Sequence, residues 1–167
     1  MSAVRSFDPI ADRSARLLIL GSMPGVKSLA AQQYYAHPRN AFWPIMGELF
    51  GFSAGLPYAR RIAALKKSRV ALWDVLRACE RAGSLDSAIA RGTCTPNDLP
   101  AFLERHPHIS MVGFNGGEAE RIFTRAVLPR LAAGGLTFVR LPSTSPAHTL
   151  PLATKAALWR KLLAQSN

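Results

Sequence analysis

Cysteine is scarce in this sequence, and acidic residues are outnumbered two to one: two Cys, and ten Asp plus Glu against 21 Lys plus Arg, in 167 residues. Cys79 and Cys94 show neither CxxC spacing nor a histidine at metal-ligand distance, which argues against a zinc site or a disulfide framework and leaves them as idle or buried thiols. No apolar run approaches the roughly 20 residues a membrane span requires. The stretch from Met1 to Arg16 is interrupted by Arg5, Asp8, Asp12 and Arg13, so it lacks the apolar core of a secretory signal. A cytoplasmic, monomeric protein with no membrane, metal or cofactor requirement is the expectation. No G-x-S-x-G elbow is present, and Ser22 precedes Met-Pro, which argues against a serine hydrolase built on Ser22 and His37. Internal repeats, low-complexity tracts and linkers are also missing.

What is present is positive charge and apolar content. The net charge of +11 and a pI near 10.8 imply a polyanionic partner. The excess is partly clustered, with Arg60, Arg61, Lys66, Lys67 and Arg69 in one group and Lys155, Arg160 and Lys161 in another. Charge by itself is equally compatible with a solubilising surface. Apolar residues make up 49% of the chain and are spread along it, and the length suits one core, so residues 1–167 read as a single domain.

Four short apolar, β-rich runs read as strands: Arg16–Leu20, Val70–Trp73, Ile109–Phe114 and Leu136–Leu141. Each is nearly continuous rather than alternating, as expected of strands covered on both faces of a parallel sheet. Helical periodicity marks Asn40–Phe50, Tyr58–Lys67, Asn97–Arg105, Glu118–Leu131 and Leu152–Gln165, with Thr95-Pro96 and Pro151 as start signals. The expected fold class is α/β: a three-layer α/β/α sandwich around a central, mainly parallel four-stranded sheet. The Gly-, Ser- and Thr-rich stretch Glu80–Pro96 reads as a surface excursion able to touch a ligand.

In open parallel sheets ligands bind beyond the carboxyl ends of the strands. Three polar loops follow strands here: Gly21-Ser22-Met23-Pro24-Gly25, Asn115-Gly116-Gly117 and Pro142-Ser143-Thr144-Ser145-Pro146. They should converge on one cleft. The first, followed by Tyr34-Tyr35-Ala36-His37-Pro38-Arg39-Asn40-Ala41-Phe42-Trp43, resembles the first motif of the hypoxanthine-DNA glycosylase branch, family 6, of the uracil-DNA glycosylase superfamily. Val112-Gly113-Phe114-Asn115-Gly116 is similar to the superfamily's strand-end Asn, and Leu141 to Ala147 resembles the branch's second motif, the PS-containing loop that enters DNA. Leu72-Trp73-Asp74-Val75 and Gly83-Ser84-Leu85-Asp86-Ser87 add likeness in between.

The resemblance implies a monofunctional DNA glycosylase that hydrolyses the N-glycosidic bond of a deaminated base, with uracil the first expectation and hypoxanthine the second. A non-catalytic DNA- or nucleotide-binding module on the same fold is the alternative, because two familiar groups are replaced. Met23 stands where other branches keep a water-positioning Asp or Asn, and Leu141 where some keep a histidine against the base carbonyl. With two cysteines the chain cannot hold the iron-sulfur cluster of certain branches.

Base excision requires the nucleotide to be flipped out, its base stacked and read, a water positioned, and the departing anion stabilised. The resemblance assigns catalysis to Asn40, whose amide can position water; on local physics the same residue is a good cap for the helix it heads. Tyr35 is the expected stacking platform, or else a core aromatic. Asn115 is expected to read the base with its amide, donating to a carbonyl and accepting from the adjacent ring N–H, a pattern that uracil and hypoxanthine share; a turn residue is the other possibility. Gly21, Ser22 and Met23 are expected to offer backbone N–H groups to the base, though a simple strand-to-helix turn also explains the glycines. Arg39, Ser143, Thr144 and Ser145 are expected to contact DNA, with the Thr144–His148 stretch as a wedge. His37 and Asp74 are candidate supporting residues.

Overall fold

The structure, a computed structural model, describes residues 2–132 and 134–165. The one-domain expectation for residues 1–167 therefore includes Met1, Ala133, Ser166 and Asn167, which lie outside the described residues. In chain order the elements are β1 (Ser2–Arg5), β2 (Leu17–Gly21), α1 (Val26–Ala31), α2 (Phe42–Phe50), α3 (Tyr58–Lys67), β3 (Val70–Asp74), β4 (Leu76–Arg81), β5 (Ile89–Pro96), α4 (Leu99–Arg105), β6 (Met111–Asn115), α5 (Gly117–Ala126), β7 (Thr137–Leu141) and α6 (Leu152–Ala164).

The four expected strands pair in the order β3-β2-β6-β7, every pairing parallel. Their alternation explains the continuous apolar runs. Leu18 and Leu20 of β2, Trp73 of β3 and Val112 and Phe114 of β6 point into a core closed by α4 and α5 through Leu99, Phe102, Ile122 and Phe123. Ile19, Leu72 and Leu141 point to the opposite face, against Phe42, Trp43, Ile45 and Met46 of α2, Leu65 of α3 and Trp159 of α6. Both faces of each central strand are buried, which requires apolar residues at every position rather than every second one. The three-layer α/β expectation holds.

A second sheet departs from the sequence expectation. β1, β4 and β5 form a three-stranded antiparallel sheet, so most of the Glu80–Pro96 excursion is strand or paired turn rather than irregular loop. Thr95-Pro96, expected to start a helix, instead ends β5, with Pro96 opposite Leu76. α4 begins at Leu99 with the Asp98 carboxylate accepting from Ala101 N–H. Asn97 therefore lies outside the helix, and its side-chain amide donates to the Asp74 carbonyl at 2.8 Å. α1, which has no counterpart in the sequence expectation, starts directly after the Gly21–Gly25 loop. α5 stops at Ala126, short of the expected Leu131, because Pro129 cannot extend the helical ladder and the chain makes a short 3₁₀ turn instead.

Candidate active site

The carboxyl ends of β2, β3, β6 and β7 open onto a cleft of about 680 Å³, in the range of small-molecule sites. The loop after β2, the segment 34–40, the 84–87 turn, Asn115 and the 143–148 loop all line it. The predicted convergence therefore occurs, and the Glu80–Pro96 excursion supplies a wall of the cleft as well.

The loops are tied to one another by groups that face away from solvent. Asn115 is 9% exposed and sits at the end of β6, where its amide makes a two-point clamp on Thr144: Nδ2 donates to Thr144 Oγ1 at 2.9 Å, and Oδ1 accepts from Thr144 N–H at 2.9 Å. Base reading by Asn115 would draw on the same amide through its second N–H and second lone pair. Thr144, expected at the DNA, is instead 1% exposed and also accepts from Ala41 N–H through its carbonyl, so it pins the loop to the start of α2. Gly116 turns the chain at φ 96°, a left-handed conformation, and a Cβ there would lie 3.2 Å from Ser143 Cβ. Lys155, 3% exposed, donates to the Ser145 carbonyl, so this cation of the second basic group is a brace. Ser143 and Ser145 remain half-buried along the cleft, with their hydroxyls accepting from backbone N–H groups two residues on.

The first loop is held from the other side. Arg81 is 1% exposed, and its guanidinium donates to the carbonyls of Gly83, Pro24 and Met23. The Ser22 hydroxyl donates to Asp86 at 2.6 Å, and Ser84 Oγ accepts from Val26 N–H at 2.8 Å. Burial pushes the Asp86 carboxyl above the usual range, a push that the Ser22 hydrogen bond and Arg81 oppose. Sequence reasoning missed both Arg81 and Asp86; the Gly83–Ser87 likeness contains Asp86, whereas nothing in the sequence marked Arg81. Met23 and Leu141, the two departures from the superfamily pattern, are buried apolar residues on opposite faces of the sheet.

Asn40 lies on the cleft, but not as the residue that directly caps the helix. Ala41 occupies the cap position with φ −81°, and Asn40 Oδ1 reaches past it to accept from Phe42 N–H at 2.9 Å. The amide thus satisfies a free N–H of the first turn while facing the cleft. His37 lines the cleft and accepts through Nδ1 from Arg39 N–H, while Arg39 is exposed and outside the lining.

Tyr35 stacks on Phe42 with ring centroids 4.2 Å apart, so one face of the expected stacking platform is already covered. Its backbone is left-handed at φ 54°, costly for an aromatic residue. Its hydroxyl and Asp74 Oδ2 are buried at the cleft without hydrogen-bond partners. Burial pushes the Tyr35 phenol well up and the Asp74 carboxyl up to about 7, with Asp86 pushing Asp74 the same way and Arg81 opposing.

A profile of the uracil DNA glycosylase superfamily matches residues 7–165. The chain belongs to the uracil DNA glycosylase superfamily. It is 34% identical over 159 residues to a hypoxanthine DNA glycosylase of Methanosarcina barkeri, covering 93% of this chain and 94% of that one. A hypoxanthine DNA glycosylase of Methanosarcina acetivorans is 36% identical over 156 residues, with the same coverage. A solution NMR structure from Methanosarcina acetivorans, provisionally assigned as a uracil DNA glycosylase, superposes with a TM-score of 0.78 at 31% identity, covering 97% of this chain and 99% of that one. The chain is thus a DNA glycosylase, and DNA is a polyanion of the kind the net charge of +11 implied. No group of three or more His, Cys, Asp and Glu side chains arranged to hold a metal ion occurs among the described residues.

Proposed function

We propose that the protein excises deaminated bases from DNA by hydrolysis of the N-glycosidic bond, with hypoxanthine as the first substrate and uracil as the second. This reverses the order expected from the sequence, on the strength of two relatives named for hypoxanthine that match over more than nine-tenths of their length. The observation that carries the reading is the convergence of all three motif loops on one cleft.

In this reading Asn40 positions the attacking water. One lone pair of Oδ1 serves Phe42 N–H, and the second is available to accept from water. Backbone N–H groups of the Gly21–Gly25 loop, fixed by Arg81 and Asp86, face the departing base, and Ser143, Ser145 and Arg39 contact phosphates on either side of the flipped nucleotide. His37 supports Asn40 through the turn in which Asn40 N–H donates to the His37 carbonyl.

The test is a panel of oligonucleotides carrying hypoxanthine, uracil or xanthine, single- and double-stranded, with alkaline cleavage reporting abasic sites. Excision of hypoxanthine at the highest rate is expected; DNA binding without cleavage of any member would instead favour the binding-module alternative. Affinity on the same panel is expected to fall by orders of magnitude between roughly 50 and 200 mM salt, as several neutralised phosphates require.

A further inference from the structure

Among the described residues, three buried side-chain polar atoms lack a hydrogen-bond partner, and two of them, Tyr35 Oη and Asp74 Oδ2, belong to residues that line the cleft. Their residues converge over one point of the backbone. A Cβ placed on Gly21 would lie 2.6 Å from Asp74 Oδ1 and 2.9 Å from Tyr35 Oη, so the two side chains share the floor that glycine leaves open. The Asn115 amide acts on the Tyr35 hydroxyl as a hydrogen-bonding neighbour and favours its ionised form, without a hydrogen bond of good geometry between them. Leaving a buried polar group unsatisfied costs on the order of 1–3 kcal/mol. The left-handed backbone at Tyr35 adds a further cost at the same place. Such costs gather where a ligand meets them.

We propose that Asp74 and Tyr35 are the specificity-determining pair: Asp74 accepts the ring N–H of a lactam base, and Tyr35 Oη donates to the adjacent carbonyl oxygen. The proposal rests on the deaminated-base reading of the cleft and names the edge by which the base is taken. The Asn115 amide gives one N–H and one lone pair to Thr144, and the proposal makes no use of those that remain. Hypoxanthine offers N1–H beside O6, and uracil N3–H beside O4. Above pH 7, where Asp74 is ionised, adenine and cytosine bring the lone pair of a bare ring nitrogen against its carboxylate. Guanine and thymine carry the same lactam edge, so these two atoms do not reject them. Tyr35, kept protonated by burial, remains a donor at neutral pH. As the base departs as an anion, charge on its carbonyl oxygen strengthens the bond from Tyr35. The charged or titratable groups acting on Asp74 are Tyr34, Tyr35, Asp86 and Arg81.

The experiment compares hypoxanthine with N1-methylhypoxanthine, and uracil with N3-methyluracil, in otherwise identical oligonucleotides, by both binding and single-turnover excision. Wild type is expected to favour each N–H base over its N-methyl form by about 10- to 100-fold, the range of one hydrogen bond to a charged group. Asp74→Ala is expected to bring that ratio to within about threefold, while Asn115→Ala leaves it as in wild type. Tyr35→Phe is expected to keep the ratio but slow excision of both lactam bases about tenfold at an unchanged melting temperature. An unchanged ratio in Asp74→Ala, a collapsed ratio in Asn115→Ala, or wild-type excision by Tyr35→Phe would each overturn the proposal. Tyr35→Phe removes a single unpartnered oxygen, so the test survives if Asp74→Ala does not fold. Wild type that excises no base would defeat the glycosylase reading alone, because the binding ratios still report the edge.

Discussion

The rim and the floor of the cleft are built on opposite terms. On the rim polar groups hold one another: Asn115 holds Thr144, Arg81 holds three carbonyls, Ser22 holds Asp86 and Lys155 holds Ser145. On the floor, Tyr35 Oη and Asp74 Oδ2 have no partner. Satisfied polar networks fix geometry, whereas unsatisfied ones store free energy that a ligand can release. Under the proposed reading, the difference separates residues that shape the site from residues left for the substrate, a separation that residue type alone does not reveal.

The contrast is sharpest if rim substitutions lower stability while floor substitutions raise or preserve it. Arg81→Met is expected to have the largest effect, about 3 kcal/mol or more, because it leaves the carbonyls of buried Pro24 and Met23 without a donor. Urea unfolding should show a lower midpoint with an unchanged slope; an unaltered midpoint would mean that the loop does not depend on Arg81.

Asp74→Asn is expected to act in the opposite direction. The folded-state pKa of Asp74, about 7, lies above the ordinary aspartate value of 3.8, so the carboxylate destabilises the fold fully above pH 7, and the penalty fades as pH falls towards 4. The variant should therefore be more stable than wild type at pH 8, by at most about 4 kcal/mol, with the advantage gone near pH 4. Paired thermal melts across that range check it, and an advantage independent of pH would break the contrast. Asn115→Ala should cost about 1–3 kcal/mol, by leaving Thr144 N–H unpaired in a buried loop. A melting temperature equal to that of wild type would move Asn115 from the rim to the floor.

How much of this the sequence carried depended on the range of the interaction. The parallel sheet was legible because burial on both faces writes continuous apolar runs such as Leu17–Leu20 and Val70–Trp73. The antiparallel sheet was not, because β4 alternates buried Leu76, Cys79 and Arg81 with exposed Arg77 and Glu80, and an arginine facing inward reads as a surface residue. The cleft was legible as three loops after three strands. The roles of its polar residues were not: Asn115 and Thr144 are 29 positions apart, and Ser22 and Asp86 are 64 apart. An amide suited to reading a base is equally suited to clamping a loop. At Asn40 the structure is compatible with both the local and the functional reading, since Oδ1 serves Phe42 N–H from a position on the cleft.

The most direct measurement is single-turnover release of free hypoxanthine from a duplex oligonucleotide, followed by chromatography for wild type and Asn40→Ala side by side. Wild type is expected to release the base completely. Asn40→Ala should bind the same DNA, lose roughly 0.5–2 kcal/mol of stability with its contact to Phe42 N–H, and release the base orders of magnitude more slowly. Release by Asn40→Ala at the wild-type rate would reduce Asn40 to a helix-end residue, and no release of hypoxanthine, uracil or xanthine by wild type would contradict the excision of deaminated bases itself.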